Sequence, residues 1–235
     1  MTGLGSRHIA LRLALAVSVA LQQGACTSGG NTLFERIGGL ARHSIAGSPA
    51  APAEPAPAMT RAELDQIPYA TAAFSKAGGA RVILVPVTDN GGYLNYRDPG
   101  GDSVIMFGGA VSGSESLGFD LQAVQHQPED PIAHQMPLAD WPGRLNRVYQ
   151  YLQRDLGRYV IALDCVYEPA VAERIEIFEL VFDLMRVNEV CTNAERQIIN
   201  TYWVDAETGF IWKSEQWVGP QIGHVTIEII RPYSG

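Results

Sequence analysis

The stretch Val225-Thr-Ile-Glu-Ile229 decides the fold, because its apolar and polar residues alternate strictly. The valine and the two isoleucines point to one face of a strand, and the threonine and glutamate point to the other. Residues 197–205 and 210–218 precede it as two further strand-like segments, and the loop Ala206-Glu-Thr-Gly209 between them suits a hairpin. The C-terminal end of the chain therefore predicts consecutive antiparallel strands.

Similar segments recur along the chain after Pro68. Short runs rich in β-branched and aromatic residues are separated by turn sequences such as Asp89-Asn-Gly-Gly92 and Asp98-Pro-Gly-Gly101. This pattern predicts an all-β fold, an antiparallel meander. Because a sheet with so many strands must curl to bury its apolar face, we expect a complete or partial β-barrel.

Two segments need a separate interpretation. Thr60-Arg-Ala-Glu63 is a capping box, which predicts one short N-terminal helix ending near Ile67-Pro68. Residues 174–190 fit a period of two with one slip at Phe178, and also a loose helical period, and we interpret them as one long strand with a bulge. We expect the folded domain to span residues 60–235.

The N-terminus predicts export and a lipid anchor. Residues 1–25 have the features of a signal peptide: two arginines, no acid, and an apolar run at Leu13–Leu21 that is too short to span a bilayer. Residues 22–26 resemble a bacterial lipobox, in which the thiol of Cys26 is lipidated before cleavage. Thr27 follows instead of the aspartate associated with inner-membrane retention, which favours the periplasmic side of the outer membrane. The alternative is an ordinary secretory signal with an unrelated cysteine.

Residues 26–59 predict a tether between the anchor and the domain. They are rich in Gly, Ser, Pro and Ala and cannot form a core. Prolines favour an extended chain of about 3.1 Å per residue. Residues 47–58 alone could therefore hold the domain well away from the membrane.

Charge and motifs exclude several function classes. The chain carries a net charge of −8, and removal of Arg7 and Arg12 with the signal peptide leaves 15 basic against 25 acidic residues, or −10. Such a protein repels phosphate backbones, so we expect no nucleic-acid partner and attachment to the membrane only through the lipid. The histidines lack metal-site spacing, and no phosphate loop or catalytic motif is present, so we expect no metal, no cofactor and no enzymatic activity.

The domain contains two further cysteines and an aromatic cluster. Cys165 and Cys191 are expected to form a disulfide in an oxidising compartment, with two buried free thiols as the alternative. Four aromatic residues on adjacent predicted strands are candidates for glycan or partner contact: Tyr202, Trp203, Trp212 and Trp217. Large aromatics in a sheet are more often part of the core, and that alternative remains open.

The order and spacing of motifs from Ile67-Pro-Tyr-Ala70 to Arg231-Pro-Tyr233 resemble the YjbF/GfcB family of group 4 capsule polysaccharide lipoproteins. The motifs that carry the resemblance include Gly91-Gly-Tyr-Leu-Asn-Tyr96, Gly108-Gly-Ala-Val111 and Asn200-Thr-Tyr-Trp-Val-Asp205. The resemblance implies a barrel-forming meander, an outer-membrane lipid anchor, and a part in exopolysaccharide or capsule assembly or export. It implies no known enzymatic activity.

Two functions from different classes follow. The first is a non-enzymatic accessory protein that binds a polysaccharide or a protein of the secretion machinery. The alternative is a periplasmic carrier of lipid or another hydrophobic ligand in an open β half-barrel. A large apolar cavity would favour the carrier, whereas a barrel filled with side chains would argue against it.

Overall fold

The computed structural model describes residues 59–152 and 158–234. The predicted signal peptide, Cys26 and the tether up to residue 58 lie outside the described residues. In the described part, no helix has the length and apolar character needed to cross a membrane.

The described residues form thirteen strands and two short α-helices, which confirms the all-β class. The helices are α1 (Arg61–Leu64) and α2 (Pro131–His134), and a 3₁₀ turn covers Leu138–Asp140. The strands are β1 (Thr71–Lys76), β2 (Val82–Asn90), β3 (Tyr93–Arg97), β4 (Ser103–Phe107), β5 (Ala110–Glu115), β6 (Leu121–Gln125), β7 (Arg144–Leu152), β8 (Arg158–Tyr167), β9 (Val171–Ile177), β10 (Leu180–Thr192), β11 (Gln197–Val204), β12 (Ile211–Gly219) and β13 (Gly223–Arg231).

These strands form one antiparallel sheet in the order β5-β4-β3-β2-β1-β13-β12-β11-β10-β8-β7-β6, with β9 against β10. The two end strands of this order, β5 and β6, are joined through one side chain. Ser114 Oγ accepts a hydrogen bond from the backbone amide of Leu121 at 3.0 Å and donates to Asp120 Oδ1 at 2.9 Å. The sheet is therefore a nearly closed barrel.

The C-terminal strands follow the predicted pattern. Val225, Ile227 and Ile229 are buried in the main core inside the barrel. The hairpin predicted from residues 197–218 is present as β11 and β12. The predicted capping box is also present, because the Thr60 and Glu63 side chains each bond to the other's backbone amide. The helix α2 is an element that the sequence did not predict.

The interpretation of residues 174–190 as one bulged strand is wrong. The chain reverses at Phe178 and Glu179, whose φ angles are 45° and 68°, and these residues connect β9 to β10 as a hairpin. The slip in alternation at Phe178 marks this turn. Both turn residues adopt a left-handed conformation without being glycine or asparagine, so the sequence carries no ordinary turn signal there.

The β9–β10 hairpin packs on the outer face of the barrel. Trp203 donates from Nε1 to Glu173 Oε1 at 3.1 Å, and the Phe182 and Trp212 rings lie 4.6 Å apart. At its tip, Phe178 lies beneath the guanidinium of Arg81 at 5.1 Å. The hairpin therefore covers outward-facing side chains of β11 and β12 that would otherwise be exposed.

Candidate functional site

A segment between β6 and β7, residues 126–141, closes one end of the barrel, and we call it the plug. Asp130 caps α2, because its carboxylate accepts hydrogen bonds from the backbone amides of Ile132 and Ala133 at 3.1 and 3.4 Å. The Ile132 side chain is fully buried, and its carbonyl accepts a hydrogen bond from the Gly109 amide at 2.8 Å. The plug is thus held by both apolar packing and backbone contacts.

Two glycines allow the plug to approach the barrel strands closely. A Cβ on Gly108 would collide with the carbonyl of Ala133, and a Cβ on Gly209 would collide with the carbonyl of Met136. Both glycines also have positive φ angles, 57° and 71°. Because only glycine tolerates both conditions, these two turns fix where the plug can lie.

A buried polar network connects the plug to the barrel interior. The Arg147 guanidinium binds Asp130 of the plug through both terminal nitrogens, and its Nε donates to Glu189 Oε1 at 2.8 Å. The second Glu189 oxygen accepts hydrogen bonds from Asn200 at 2.9 Å and from the Tyr202 hydroxyl at 3.0 Å. Such buried charges are tolerated because each one has a charged partner.

The network keeps its acid and base ionised. Burial alone raises the pKa of Asp130, but the hydrogen bond with His126 and the charge of Arg147 outweigh burial and lower this pKa strongly. Burial alone lowers the pKa of Arg147, but the charge of Glu189 and the other acidic neighbours raise it well above its ordinary value. The ion pair between Asp130 and Arg147 is therefore present at neutral pH.

Ser112, His126 and Asp130 have the order of contacts found in a catalytic triad. Ser112 Oγ lies 2.7 Å from His126 Nε2, and His126 Nδ1 lies 3.0 Å from Asp130 Oδ2. However, Ser112 is only 4% exposed, it lies within strand β5, and its hydroxyl is 3.3 Å from the Ala110 carbonyl. We interpret the trio as a further attachment of the plug, because a nucleophile needs room for a reacting atom.

A pocket of about 240 Å³ lies beside the plug. It is formed by the β2–β3 and β4–β5 turns, the start of β12, the residues after β13, and Gln135 of the plug. Its apolar lining comes from Leu94, Met106, Ile211 and Ile229, together with the ring of Phe210. Its polar lining includes Asp89, Tyr96 and Tyr233.

The polar groups of the pocket differ in the hydrogen bonds that they form within the protein. Asp89 accepts hydrogen bonds from the Gly92 amide at 2.9 Å and from the Tyr233 hydroxyl at 3.3 Å. Tyr96 is 3% exposed and lines the pocket, and its hydroxyl is not one of the buried side-chain atoms that lack a hydrogen-bond partner among the described residues. Burial, and then the neighbouring Tyr233, raise the Tyr96 pKa to about 12, so this hydroxyl keeps its proton.

The four aromatic candidates do not share one accessible face. Tyr202 is 1% exposed inside the barrel, and Trp217 packs edge-on against Tyr149 in the main core at 5.2 Å. Trp203 is covered by the β9–β10 hairpin. Only Trp212 among the four is half-buried, and its ring lies 4.9 Å from that of Phe210 at the pocket.

Cys165 and Cys191 are joined in a disulfide. They lie directly opposite each other on the neighbouring strands β8 and β10. Glu189 lies close to both sulfurs, and the three residues resemble a metal-ligand set in position. Because a disulfide offers no thiolate, this cluster does not have the chemistry of a metal site.

Asp89 and Tyr96 carry no motif that marks a binding site. The pocket is formed by residues from five separate parts of the chain, and no local sequence pattern shows that these parts lie together. The sequence contains two indirect signals of the plug. The Gly108-Gly109 pair allows another backbone segment to approach closely, and Asp130-Pro131 is typical of the start of a helix.

Comparison with known proteins supports the fold and the family. A family model described as "Group 4 capsule polysaccharide lipoprotein gfcB, YjbF" matches residues 31–230. The chain belongs to this family. The crystal structure of the hypothetical lipoprotein YmcC from Escherichia coli (K12) is similar to this member of the YjbF family, with a TM-score of 0.64 and 20% identity, over 75% of this chain and 91% of that chain. No curated protein matches the chain.

Proposed function

We propose that the protein is a non-enzymatic accessory in the assembly or export of capsule or exopolysaccharide, anchored by lipid on the periplasmic side of the outer membrane. The observation that carries this proposal is the match of the capsule polysaccharide lipoprotein family over residues 31–230. The lipobox-like sequence before Cys26 supports the anchor, and Thr27 supports the outer-membrane destination.

The interior of the barrel favours this role over that of a lipid carrier. Large side chains fill it, among them Tyr149, Tyr151 and Trp217 in the main core. The pocket beside the plug, at about 240 Å³, is smaller than the roughly 300–1,000 Å³ of typical ligand pockets. An acyl chain needs an extended apolar cavity, so neither space suits it.

The enclosed position of Ser112 supports a role without catalysis. Its hydroxyl has partners on the plug and on its own strand, and Ser112 is not among the residues that line the pocket. The trio with His126 instead stabilises the closed end of the barrel.

The test is secretion of exopolysaccharide by a strain that lacks this protein and carries one of four plasmids. Wild type and Thr27→Ser should restore secretion. Cys26→Ala, which cannot be lipidated, and Thr27→Asp, which would be retained at the inner membrane, should not. Immunoblots of membrane fractions establish that each variant is present and where it resides. Normal secretion in the strain that lacks the protein would overturn the proposal.

A further inference from the structure

We infer that the pocket beside the plug binds one uncharged pyranose unit of a polysaccharide chain. This inference rests on the proposed function and adds the ligand class and the residues that recognise it. The polar and apolar groups of the pocket carry it.

Tyr96 offers the pocket a hydroxyl group. Its side chain is 3% exposed and lines the pocket, but its hydroxyl is not one of the buried atoms that lack a partner among the described residues, so we place the hydroxyl at the pocket surface. A tyrosine hydroxyl both donates and accepts a hydrogen bond. It can therefore bond to a hydroxyl group of a ligand in the pocket.

The rest of the lining matches the two kinds of surface on a sugar ring. Carbon-bound hydrogens form apolar faces on a pyranose, and Phe210, Leu94 and Ile229 offer apolar contact. Hydroxyls project from the ring edge, and the carboxylate of Asp89 is an acceptor for them. The pocket volume of about 240 Å³ lies below the roughly 300–1,000 Å³ of pockets for drug-sized ligands, so the pocket suits a ligand as small as one ring.

The charge of the lining selects against acidic sugars. Asp89 is the acid among the described lining residues, and no lysine, arginine or histidine is present among them. A uronic acid or a sugar phosphate would bring a second negative charge to Asp89 without a cation to pair with it. The pocket should therefore bind a neutral sugar more tightly than the uronic acid of the same configuration.

An aromatic row leads from the pocket to the outer surface. Phe210 lines the pocket, Trp212 follows at 4.9 Å between ring centroids, and Phe182 of the β9–β10 hairpin follows at 4.6 Å. All three rings are half-buried and contact one another, so together they provide a partly exposed apolar surface next to the pocket. A polysaccharide chain that enters the pocket with one residue can contact this surface with the next.

The experiment uses full-length protein in detergent and saturation-transfer NMR with free sugars. The neutral probes are the methyl glycosides of glucose, galactose and mannose, and the anionic probes are glucuronate and galacturonate. Tyr96→Phe removes one hydroxyl from the pocket, and Asp89→Asn removes its charge. Tyr69→Phe is the matched control, because Tyr69 is exposed and lies outside the pocket.

We expect a neutral probe to bind wild type and Tyr69→Phe alike. Loss of one hydrogen bond in Tyr96→Phe should weaken binding about tenfold. Asp89→Asn should reduce the discrimination against the uronate of the same configuration. Absence of binding by every neutral probe, equal binding by Tyr96→Phe, or a preference of wild type for uronates would overturn the inference.

Measurements of exopolysaccharide secretion distinguish a failure of this inference from a failure of the proposed function. If Cys26→Ala abolishes secretion and Tyr96→Phe restores it fully, the export function stands and the pocket is not used in it. If neutral sugars bind as expected but deletion of the protein leaves secretion unchanged, the ligand assignment stands and the export function is overturned.

Discussion

Arg147 and Glu189 form an ion pair inside the barrel although a strand separates them in the sheet. Arg147 lies on β7 and Glu189 on β10, with β8 between, and the Nε–Oε1 distance is 2.8 Å. Both side chains are almost completely buried. Since Arg147 also binds Asp130, one guanidinium connects two strands of the barrel to the plug.

Replacement of this arginine should strongly destabilise the protein. Arg147→Met leaves Asp130 and Glu189 as buried charges without their cation, and such a loss typically costs about 3–5 kcal/mol. Urea unfolding of the variant and of Arg174→Met gives the comparison, because Arg174 pairs with Asp183 at the surface, where both side chains are over 70% exposed. Arg174→Met should leave the unfolding midpoint unchanged, and equal midpoints for the two variants would contradict the prediction.

The lowered pKa of Asp130 should make the stability of the protein depend on pH. Its pKa is held well below that of an unfolded aspartate, about 3.9, because its contacts with His126 and Arg147 outweigh the effect of burial. A lowered folded pKa stabilises the protein above the unfolded pKa, and this contribution is lost as the pH falls through the folded value. Urea midpoints measured below about pH 5 should therefore decline more steeply in wild type than in Asp130→Asn. Parallel declines would assign the acid sensitivity to other groups.

The sequence predicts the meander well, because alternation and turn residues are local signals. The strand β13 and the β11–β12 hairpin follow directly from residues 197–229. The β9–β10 turn is missed, since Phe178 and Glu179 have side chains that rarely adopt positive φ. At this turn, Phe178 contacts Arg81, which is far away in the sequence, and a local pattern does not reveal such a contact.

The interior network and the pocket could not be predicted from local pattern. Charged residues in a strand normally face solvent, and Arg147 and Glu189 face inward because each finds its partner on a distant element. Trp203 faces outward and is still buried, since the β9–β10 hairpin covers it. In both cases the environment is made by segments that the sequence does not place side by side.

Trp217 and Trp212 of the aromatic cluster should differ in how much unfolding free energy is lost when each is replaced by alanine. Trp217 lies in the main core, so Trp217→Ala should cost about 3–5 kcal/mol of unfolding free energy. Trp212 is half-buried and contacts Phe182 and Phe210, so Trp212→Ala should cost less. Guanidinium unfolding followed by circular dichroism measures both. A larger loss in Trp212→Ala would contradict the positions of these two side chains.

The disulfide should stabilise the protein under oxidising conditions. Cys165 and Cys191 are 26 residues apart in the sequence, and a cross-link of that span contributes about 3.5 kcal/mol in the chain-entropy model. The double variant Cys165→Ala/Cys191→Ala should lose about this much, and its unfolding midpoint should not respond to dithiothreitol. Wild type should lose stability when reduced. If reduction leaves the wild-type midpoint unchanged, the disulfide does not contribute to stability.

Gly209 and Gly78 provide a matched test of how the plug is held. Both have a φ angle of 71°, but a Cβ on Gly209 would collide with the Met136 carbonyl of the plug, whereas a Cβ on Gly78 has nothing within 4 Å. Gly78→Ala should therefore cost only the strain of its conformation, about 1 kcal/mol. Gly209→Ala should cost more, because the plug must also move away from the barrel. Hydrogen exchange should then rise at the Gly109 amide, which bonds to the Ile132 carbonyl of the plug. Equal costs and unchanged exchange would show that the close approach of Gly209 to Met136 does not hold the plug.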